Sequence, residues 1–294
     1  MIEKLEMFIA LATEEHFGKA AQSCGVTQPT LSSAIKQLEE QLGSTLVMRG
    51  SRYLGLTPEG KRVLEWARRI VGDARTMREE IRATKRGLSG NLRIAAIPTA
   101  LTTISQITAD FSQAHPNVRF TILSRNSSEI LELLDNLQID AGISYLDNEP
   151  LGRVVTVPLY TERYVLIARS GSPITERDHV SWSELGELPL CLLTPDMQNR
   201  RIIAQHLNAA GASSAPNVET NSVIVLISHV LHGSRVTVLP QKAADIFLTN
   251  APLTAIPIIE PETHQPVGLI TPEREPHGPV VNALLQMARR RAEA

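Results

Sequence analysis

The stretch TQPTLSSAIKQLEEQLG, residues 27–43, has the period of an amphipathic helix with an unusual outer face. Its apolar residues recur every three or four positions and therefore fall on one helical face: Leu31, Ile35, Leu38 and Leu42. The opposite face begins with Gln, Thr and Ser side chains, and its first charge is Lys36. The first turns of this helix therefore present short hydrogen-bonding side chains with almost no charge, which suggests that they bind another molecule.

The residues before this stretch predict a helix-turn-helix. Residues 2–12, IEKLEMFIALA, carry one apolar helical stripe, and GKAAQSC is a short helix that ends at Gly25. Thr27 can cap the next helix, and Pro29 lies in its first turn, where a missing N–H costs nothing. Two helices joined by a tight glycine-containing turn place the second helix in the DNA major groove.

This arrangement explains the mild face of the quoted stretch. Gln, Ser and Thr side chains can donate to or accept from base edges, whereas carboxylates would be repelled by phosphates. Glu39 and Glu40 indeed occur only in the far turns. The candidate DNA-binding residues are Thr27, Gln28, Pro29, Thr30, Ser32, Ser33 and Lys36. The alternative is an ordinary capped amphipathic helix in a bundle.

The next segment favours DNA binding. LVMRGSRYLGLTPEG, residues 46–60, has alternating and β-branched residues around glycines, which predicts a small hairpin wing. Arg49 and Arg52 have no acidic neighbours and suit backbone phosphates or the minor groove, with solvated surface arginines as the alternative.

A long helix is predicted from Pro58 to about Leu88. Its apolar positions are spaced alternately by four and three residues, an a/d heptad register: Val63, Ala67, Ile70, Ala74, Met77, Ile81, Thr84 and Leu88. We expect this seam to pair with the same helix of a second subunit. The alternative is a helix packed on its own chain. GLSGN, residues 87–91, is typical of a linker.

Beyond residue 91 the pattern alternates between strands and helices, which predicts an α/β domain with helices on a mostly parallel sheet. About two hundred residues of this pattern suggest two lobes. Ligands in such sheets bind outside the carboxyl ends of the strands.

Composition and charge limit the possible classes. Residues 1–90 hold 14 Lys/Arg against 11 Asp/Glu, a net of +3, and the rest carries −5, which fits a polyanion partner for the N-terminal part alone. The first residues lack a signal-peptide pattern, and the most apolar run is far too short to span a bilayer, so we expect a soluble cytoplasmic protein without membrane partners. Cys24 and Cys191 suggest a reducing compartment and small buried side chains.

The segment FGKAAQSCGVTQPTLSSAIKQLEEQLGSTLVMRGSRYLGLTPEG, residues 17–60, closely resembles the winged helix-turn-helix signature of the LysR-type transcriptional regulators. NSSEILELLDNLQIDAGIS and the long helix extend the resemblance over essentially the whole chain. It implies a DNA-binding domain (residues 1–58), a linker helix for dimerisation (59–90) and a two-lobed effector domain of the periplasmic-binding-protein type (91–294).

The resemblance also implies details of architecture and assembly. Lobe I would comprise about 91–162 and 267–294, and lobe II about 163–266. The implied assembly is a homodimer, or a homotetramer built as a dimer of dimers, that reads an inverted repeat in double-stranded DNA and contacts RNA polymerase.

In this family the effector lies between the lobes, held by hydroxyl and backbone N–H groups at helix starts. Similar stretches here are PTALT, NSS and TNS, together with the threonine after LPLCLL. The candidate effector-binding residues are Thr99, Thr102, Ser127, Ser128, Thr194, Asn221 and Ser222. Because helix N-termini favour anions, we expect a small anionic metabolite. Plain N-capping is the alternative for each residue.

Three departures from the family pattern matter. Ala34 stands where glutamine is common in the recognition helix, so the resemblance does not carry that DNA contact over to this chain. Cys24 replaces a usual aliphatic residue, which fits a core position. Cys191 is the only cysteine of residues 91–294, so an intramolecular disulfide switch of the peroxide-sensing type is not available.

Two other classes compete with a regulator. An enzyme is disfavoured because no P-loop, GxGxxG, HExxH or GxSxG motif occurs and the eight histidines are scattered, so we expect no catalytic residue, cofactor or metal. A solute-binding protein would match residues 91–294 but leaves residues 1–60 unexplained.

Overall fold

The computed structural model describes residues 1–49, 53–213, 215–249 and 251–292. The chain forms two compact units. The first holds residues 1–89, 132–139 and 274–282, and the second holds 90–131, 140–273 and 283–294.

The N-terminal part of the first unit has the predicted winged helix-turn-helix and long helix. Its elements are α1 (Ile2–Glu14), α2 (Phe17–Ser23), α3 (Gln28–Leu42), β1 (Val47–Arg49), β2 (Tyr53–Leu56) and α4 (Pro58–Arg86). The strands β1 and β2 pair antiparallel, as a hairpin wing requires.

The apolar face of α3 builds the core of this unit. Leu31, Ile35 and Leu38 are completely buried and pack in one cluster with residues of α1 and α4. Leu42, the last apolar residue of this face, is 44% exposed. Leu42 is the last residue of the helix, and Gly43 turns the chain away with a φ of 64°.

The start of α4 packs directly against the wing. Thr57 caps the helix by accepting the N–H of Gly60 at 2.9 Å, and its hydroxyl donates to the carbonyl of Thr45 at 2.7 Å. A β-carbon at Gly60 would collide with the carbonyl oxygen of Leu46, so only glycine permits this approach.

The predicted seam of α4 divides into two groups. Val63 and Ala67 pack in the core of their own chain, and Ala74 is also buried, as the own-chain alternative expects. Ile70, Met77 and Ile81 remain exposed at 42%, 54% and 54%. Pairing with a second subunit therefore stays a prediction for the exposed group.

The remaining elements follow the predicted alternation. They are β3 (Gly90–Ala96), α5 (Leu101–Ala114), β4 (Val118–Ser124), α6 (Ser127–Asp135), β5 (Ala141–Tyr145), β6 (Val154–Glu162), β7 (Tyr164–Arg169), β8 (Val180–Ser181), α7 (Trp182–Leu185), β9 (Cys191–Leu193), α8 (Gln198–Ala209), β10 (Val218–Thr220), α9 (Val223–His232), β11 (Thr237–Pro240), α10 (Gln241–Leu248), β12 (Leu253–Ile259), β13 (Gln265–Pro272) and α11 (Pro279–Ala292). Short 3-10 turns lie at Pro98–Ala100 and Pro173–Glu176.

The sheets are mixed rather than mostly parallel, which corrects the expectation from sequence. In the five-stranded sheet, β4-β3-β5-β13-β6, strand β3 runs parallel to β4 and β5, whereas β13 runs antiparallel to β5 and β6. The four-stranded sheet has the order β11-β7-β12-β8, and β9 pairs with β10. Two of the antiparallel pairs, β13 with β6 and β12 with β7, contain strands that the sequence pattern did not reveal. The other two, β13 with β5 and β11 with β7, join strands that it predicted, because the pattern of a strand does not show its direction in the sheet.

The chain passes between these sheets twice. It leaves the five-stranded sheet between β6 and β7, at Arg163, and returns to it through residues 260–264. The first crossing lies at the limit of 162/163 that the resemblance implies, whereas β13 already begins at Gln265, two residues before the implied return at 267. The domain limits stay predictions.

Candidate DNA-binding surface and effector site

The first turns of α3 present an exposed and uncharged polar surface. Thr27, Gln28, Pro29, Thr30 and Ser33 are exposed, and Ser32 is half-buried. The Thr27 side chain accepts the N–H of Thr30 at 3.4 Å, so it caps the helix as predicted. The hydroxyl of Thr30 also lies 2.8 Å from that of Thr27 and shares a hydrogen bond with it, whereas Gln28 and Pro29 take no part in the cap.

The next turn brings the first charge. Lys36 is exposed and lies 3.9 Å from Glu40 one turn further on. Such an exposed pair contributes little to stability, so the ammonium group is available to a phosphate. Ser33 accepts the side-chain amide of Gln37 at 3.4 Å.

The carboxylate of Glu39 holds the wing. It accepts the backbone N–H groups of Leu46 and Val47 at 2.9 and 3.1 Å. The position of this acidic residue thus has a structural reason besides repulsion from DNA. Arg49 is the last residue of β1, but its side chain and the whole of Arg52 lie outside the described residues.

The first group of candidate effector residues lies at the carboxyl ends of two parallel strands. The N–H of Arg125, after β4, donates to the carbonyl of Ala96, the last residue of β3, at 3.0 Å. Thr99 and Ser127 follow these strands and are 2% and 4% exposed. The hydroxyls of Thr102 and Ser127 are buried and have no hydrogen-bond partner among the described residues.

Asn126, which was not among the residues predicted from sequence, caps α6. Asn126 accepts the N–H of Glu129 and the hydroxyl of Ser128, both at 2.9 Å. Ser128 therefore belongs to the cap, as the alternative expects, and its side chain is exposed. The hydroxyl of Ser127 takes no part in the cap.

The second group lies where β9 and β10 end. The N–H of Thr194 donates to the carbonyl of Thr220 at 3.0 Å, so these strand ends are adjacent. Asn221 is exposed, and Ser222 is half-buried at the N-cap of α9 without making a side-chain cap bond. Capping does not explain Ser222.

A hydrogen bond connects the two groups. The amide of Asn126 donates to the carboxylate of Asp196 at 3.2 Å. The hydroxyl of Thr194 lies beside the same carboxylate and lowers its pKa, although no hydrogen bond of standard geometry joins them. The structure therefore brings Ser127 and Thr194 into one neighbourhood.

An ion pair adds a second connection. The guanidinium of Arg201 donates to both carboxylate oxygens of Glu149, at 2.7 and 2.9 Å. Gln198 donates to the carbonyl of Asp147 at 3.0 Å. These contacts join the segment that follows β5 to the first two turns of α8.

A buried polar cluster next to this site was not predicted. Tyr145 donates to Glu162 at 2.7 Å, and the hydroxyl of Tyr164 lies 3.3 Å from that of Tyr145. The amide of Asn199 donates to both hydroxyls, at 3.4 and 3.3 Å. The only signal in the sequence was a single glutamate inside YTERYVLIA, and it was missed because β6 was not predicted.

Burial dominates the electrostatics of this cluster. It raises the pKa of Glu162 to about 7, although hydrogen bonds from Tyr145 and Tyr160, the nearby hydroxyl of Thr99 and the positive charge of Lys242 lower it in part. Thr99 lies near this carboxylate without completing a hydrogen bond of standard geometry. Glu162 thus sits beside a candidate effector residue and changes charge near neutral pH.

The cysteines are packing residues rather than reactive groups. Cys191 is fully buried in the apolar cluster of β7, β9 and α9, and burial raises the pKa of its thiol to about 11. Cys24 is half-buried against the winged-helix core, and burial also raises its pKa.

The described residues contain neither a candidate metal site nor a candidate membrane-spanning helix. Within them, no group of three or more His, Cys, Asp or Glu side chains could hold a metal ion. In the same part of the chain no helix has the length and apolar character needed to cross a membrane.

A winged helix-turn-helix followed by a two-lobed α/β domain is the fold of a DNA-binding transcriptional regulator with an effector-binding domain. Residues 2–61 match the bacterial regulatory helix-turn-helix protein family of lysR type, and residues 85–293 match the LysR substrate binding domain. The chain therefore belongs to the LysR family of transcriptional regulators. It is a regulator rather than an enzyme, and the helix-turn-helix match removes the solute-binding alternative.

Similar proteins agree with this assignment. The DNA-binding transcriptional dual regulator OxyR of Escherichia coli K12 is 29% identical over 270 residues, which cover 92% of this chain and 88% of the relative. A full-length OxyR variant from Pseudomonas aeruginosa shares the fold with a TM-score of 0.76 at 25% identity, covering 98% of this chain and 94% of that one. Full-length CbnR in complex with its target DNA gives a TM-score of 0.61 at 21% identity, covering 99% and 100%.

Proposed function

We propose that this regulator reads an inverted-repeat DNA site through the first turns of α3, and that a small anionic metabolite bound at the strand ends of the second unit controls its DNA binding or bending. The observation that carries the effector proposal is the pair of buried hydroxyls, Thr102 and Ser127, without partners in the described chain. A buried polar group without a partner is costly, so a ligand that completes its hydrogen bonds gains free energy.

The DNA-binding part of the proposal rests on exposure and chemistry. Gln28, Thr30 and Ser33 are exposed on the same end of α3 and can exchange hydrogen bonds with base edges. The solved complex of CbnR with target DNA shows that a protein of this fold binds DNA.

Gln28→Ala tests the reading of bases. We expect the variant to lose about 1–3 kcal/mol of discrimination between the specific and a scrambled site, because a good base contact is removed. Gel shift with DNA from upstream of its own gene measures the loss. Gln41→Ala, the same change in the exposed last turn of α3, is the matched control and should keep full selectivity. Unchanged selectivity of Gln28→Ala would remove this residue from the interface.

The chemistry of the effector follows from the elements that present the hydroxyls. Ser127 lies in the first turn of α6, and Ser222 precedes α9 without capping it. Helix N-termini carry unpaired N–H groups and a positive end of the dipole, which favour a carboxylate, sulfate or phosphate group. Thr99, Thr102 and Thr194 complete the proposed site. Asn221 is exposed and would close it from the α9 side.

A thermal-shift screen of mono- and dicarboxylates, sulfate and phosphate esters tests this site. A ligand at a hundred times its dissociation constant should stabilise the protein by ~2.7 kcal/mol, which corresponds to a rise of roughly 5–10 °C in Tm. Titration calorimetry with the ligand found should then show weaker binding to Ser127→Ala and Thr99→Ala. Ser105→Ala is the control, because this hydroxyl is exposed and bonded to Leu101 within α5. Undiminished affinity in both site variants would contradict the proposal.

The signal is proposed to be binding rather than thiol oxidation. Relatives with 29% identity are named hydrogen peroxide-inducible genes activators. Here Cys191 is the only cysteine of residues 91–294, and its raised pKa keeps it in the unreactive thiol form.

The assembly is proposed to be a homodimer formed through α4, with two dimers joined into a homotetramer. The exposed apolar stripe of α4 supports the first step. Two pairs of α3 helices would then read the two halves of an inverted repeat, and bound effector would alter DNA bending and contact with RNA polymerase. The cytoplasm is the proposed location.

A further inference from the structure

Leu137 adopts a backbone conformation that normally belongs to glycine. Its φ is 58°, in the left-handed region. It is the second residue after α6, which ends at Asp135. The N–H of Leu137 donates to the carbonyl of Leu134 at 3.1 Å, and the N–H of Gln138 donates to the carbonyl of Leu133 at 2.9 Å. This is a Schellman turn, whose left-handed position favours glycine because a β-carbon is strained there. A leucine at this position needs a compensating gain.

The compensation is burial in the winged-helix core. The Leu137 side chain is 6% exposed and belongs to the same apolar cluster as Leu5, Phe8 and Val71. Residues 132–139 belong to the first compact unit, although strands of the five-stranded sheet flank them in sequence. A segment from the effector part of the chain therefore completes the core of the N-terminal unit.

Two arginines of α4 hold this segment. The guanidinium of Arg75 donates to the carbonyl of Leu137 at 2.9 Å, and that of Arg68 donates to the side-chain oxygen of Asn136 at 2.6 Å. The two arginines are seven residues apart, which places them on one side of the helix two turns from each other. Bonds from a charged donor are stronger than neutral ones.

The other end of α6 lies at the proposed effector site. Ser127 in its first turn has a buried, unpartnered hydroxyl, and Asn126 caps the helix and donates to Asp196. Ile130 and Leu134 are buried, so α6 is anchored along its length of about 13 Å. A displacement of its first turn therefore moves its last turn as well.

We propose that α6 couples the effector site to the linker helix α4, with Leu137, Arg68 and Arg75 as the positioning residues that transmit its movement. An effector that binds one position of α6 better than another would shift the arrangement of α4, and with it the placement of the DNA-binding helices. The part of this proposal in which an effector moves α6 rests on the proposed effector site. The packing of Leu137 in the core with α4 does not depend on that site.

Hydrogen exchange of the full-length chain tests the coupling without DNA or effector. Asp196→Ala removes the carboxylate that accepts the hydrogen bond of Asn126, and it therefore perturbs the first turn of α6. Asp196 is far from α4 in the sequence, so the substitution does not change α4 directly. We expect it to change the exchange rate of peptides from residues 64–76 by about fivefold or more. In a Leu137→Gly background, which removes the side chain and the backbone strain together, the same change should have no effect on these peptides.

Leu38→Ala is the matched control, because it removes a buried leucine of the same core from α3. The effect of Asp196→Ala should persist in that background. The coupling is refuted if Asp196→Ala leaves residues 64–76 unchanged in the wild type, or if its effect survives in Leu137→Gly.

A second variant protects the test against misfolding. Should Leu137→Gly lack native circular dichroism, Asn136→Ala removes only the bond from Arg68 and should reduce the effect of Asp196→Ala by at least about half. An undiminished effect there refutes the role of the Arg68 bond. The gel-shift and ligand-binding experiments do not enter these hydrogen-exchange measurements. The proposed function and the coupling through α6 can therefore be refuted independently.

Discussion

At the scale of single residues, Glu162 shows how burial turns an ordinary side chain into a titrating group near neutral pH. Its carboxylate is 2% exposed and accepts a hydrogen bond from Tyr145 at 2.7 Å. Burial disfavours its charged form more than the hydroxyls around it favour that form, and its pKa rises to about 7.

The sign of the resulting pH dependence follows from linkage. The folded chain holds the proton of Glu162 more tightly than the unfolded chain, so stability falls as the pH rises from about 4.5 to about 7 and is constant above. Glu162→Gln removes this loss. Between about pH 5 and about pH 8, we expect the variant to gain roughly 2–3 kcal/mol relative to the wild type.

Denaturant unfolding of both proteins at the two pH values measures this difference. Glu187→Gln, at an exposed position, is the control and should follow the wild type. Parallel pH profiles for Glu162→Gln and the wild type would show that the carboxyl titrates normally.

At the scale of elements, the apolar pattern of α4 divides between the core of its own chain and an exposed surface. Ala67 and Val71 face the core of their own chain. Trp66, Ile70, Met77 and Ile81 lie on one stripe and are exposed by 42–62%. Trp66 was not part of the predicted a/d register. The core of the same chain covers one side of that register, so the exposed apolar stripe is rotated around the helix and includes Trp66.

Met77→Glu tests whether this stripe is the dimer interface. A glutamate there would be buried without a partner in both subunits, so we expect the dimer dissociation constant to rise by about 100-fold or more. Analytical ultracentrifugation at low micromolar concentration measures it. Arg82→Glu lies on a different face of α4 and should leave the mass unchanged. A dimer that tolerates Met77→Glu would place the interface elsewhere.

At the scale of the whole molecule, DNA reading and effector binding belong to different parts of one LysR-family chain. The winged helix-turn-helix lies in the first unit, and the hydroxyl-rich strand ends lie in the second. Helix α6 has residues in both units, so any signal between the two functions has at least one covalently continuous route.

The sequence alone determined the elements whose signals are local. The period of residues 27–43, the Thr27 cap and the glycine at position 25 predicted the helix-turn-helix. The positions of Thr99, Ser127 and Thr194 after strands predicted hydroxyls at strand ends, but their placement at one sheet edge was wrong for Thr194, which follows β9 in a separate two-stranded sheet. Periodicity and capping depend on residues only a few positions apart, so a single segment is enough to reveal them.

Tertiary structure alone decided which side of the α4 seam is buried, the mixed order of the sheets, the tyrosine cluster around Glu162 and the docking of Leu137. Each depends on residues that are far apart in the chain, such as Arg75 with Leu137 or Asn199 with Tyr145. Burial and pKa follow from those long-range contacts, because they depend on what excludes water from a side chain and not on its neighbours in sequence.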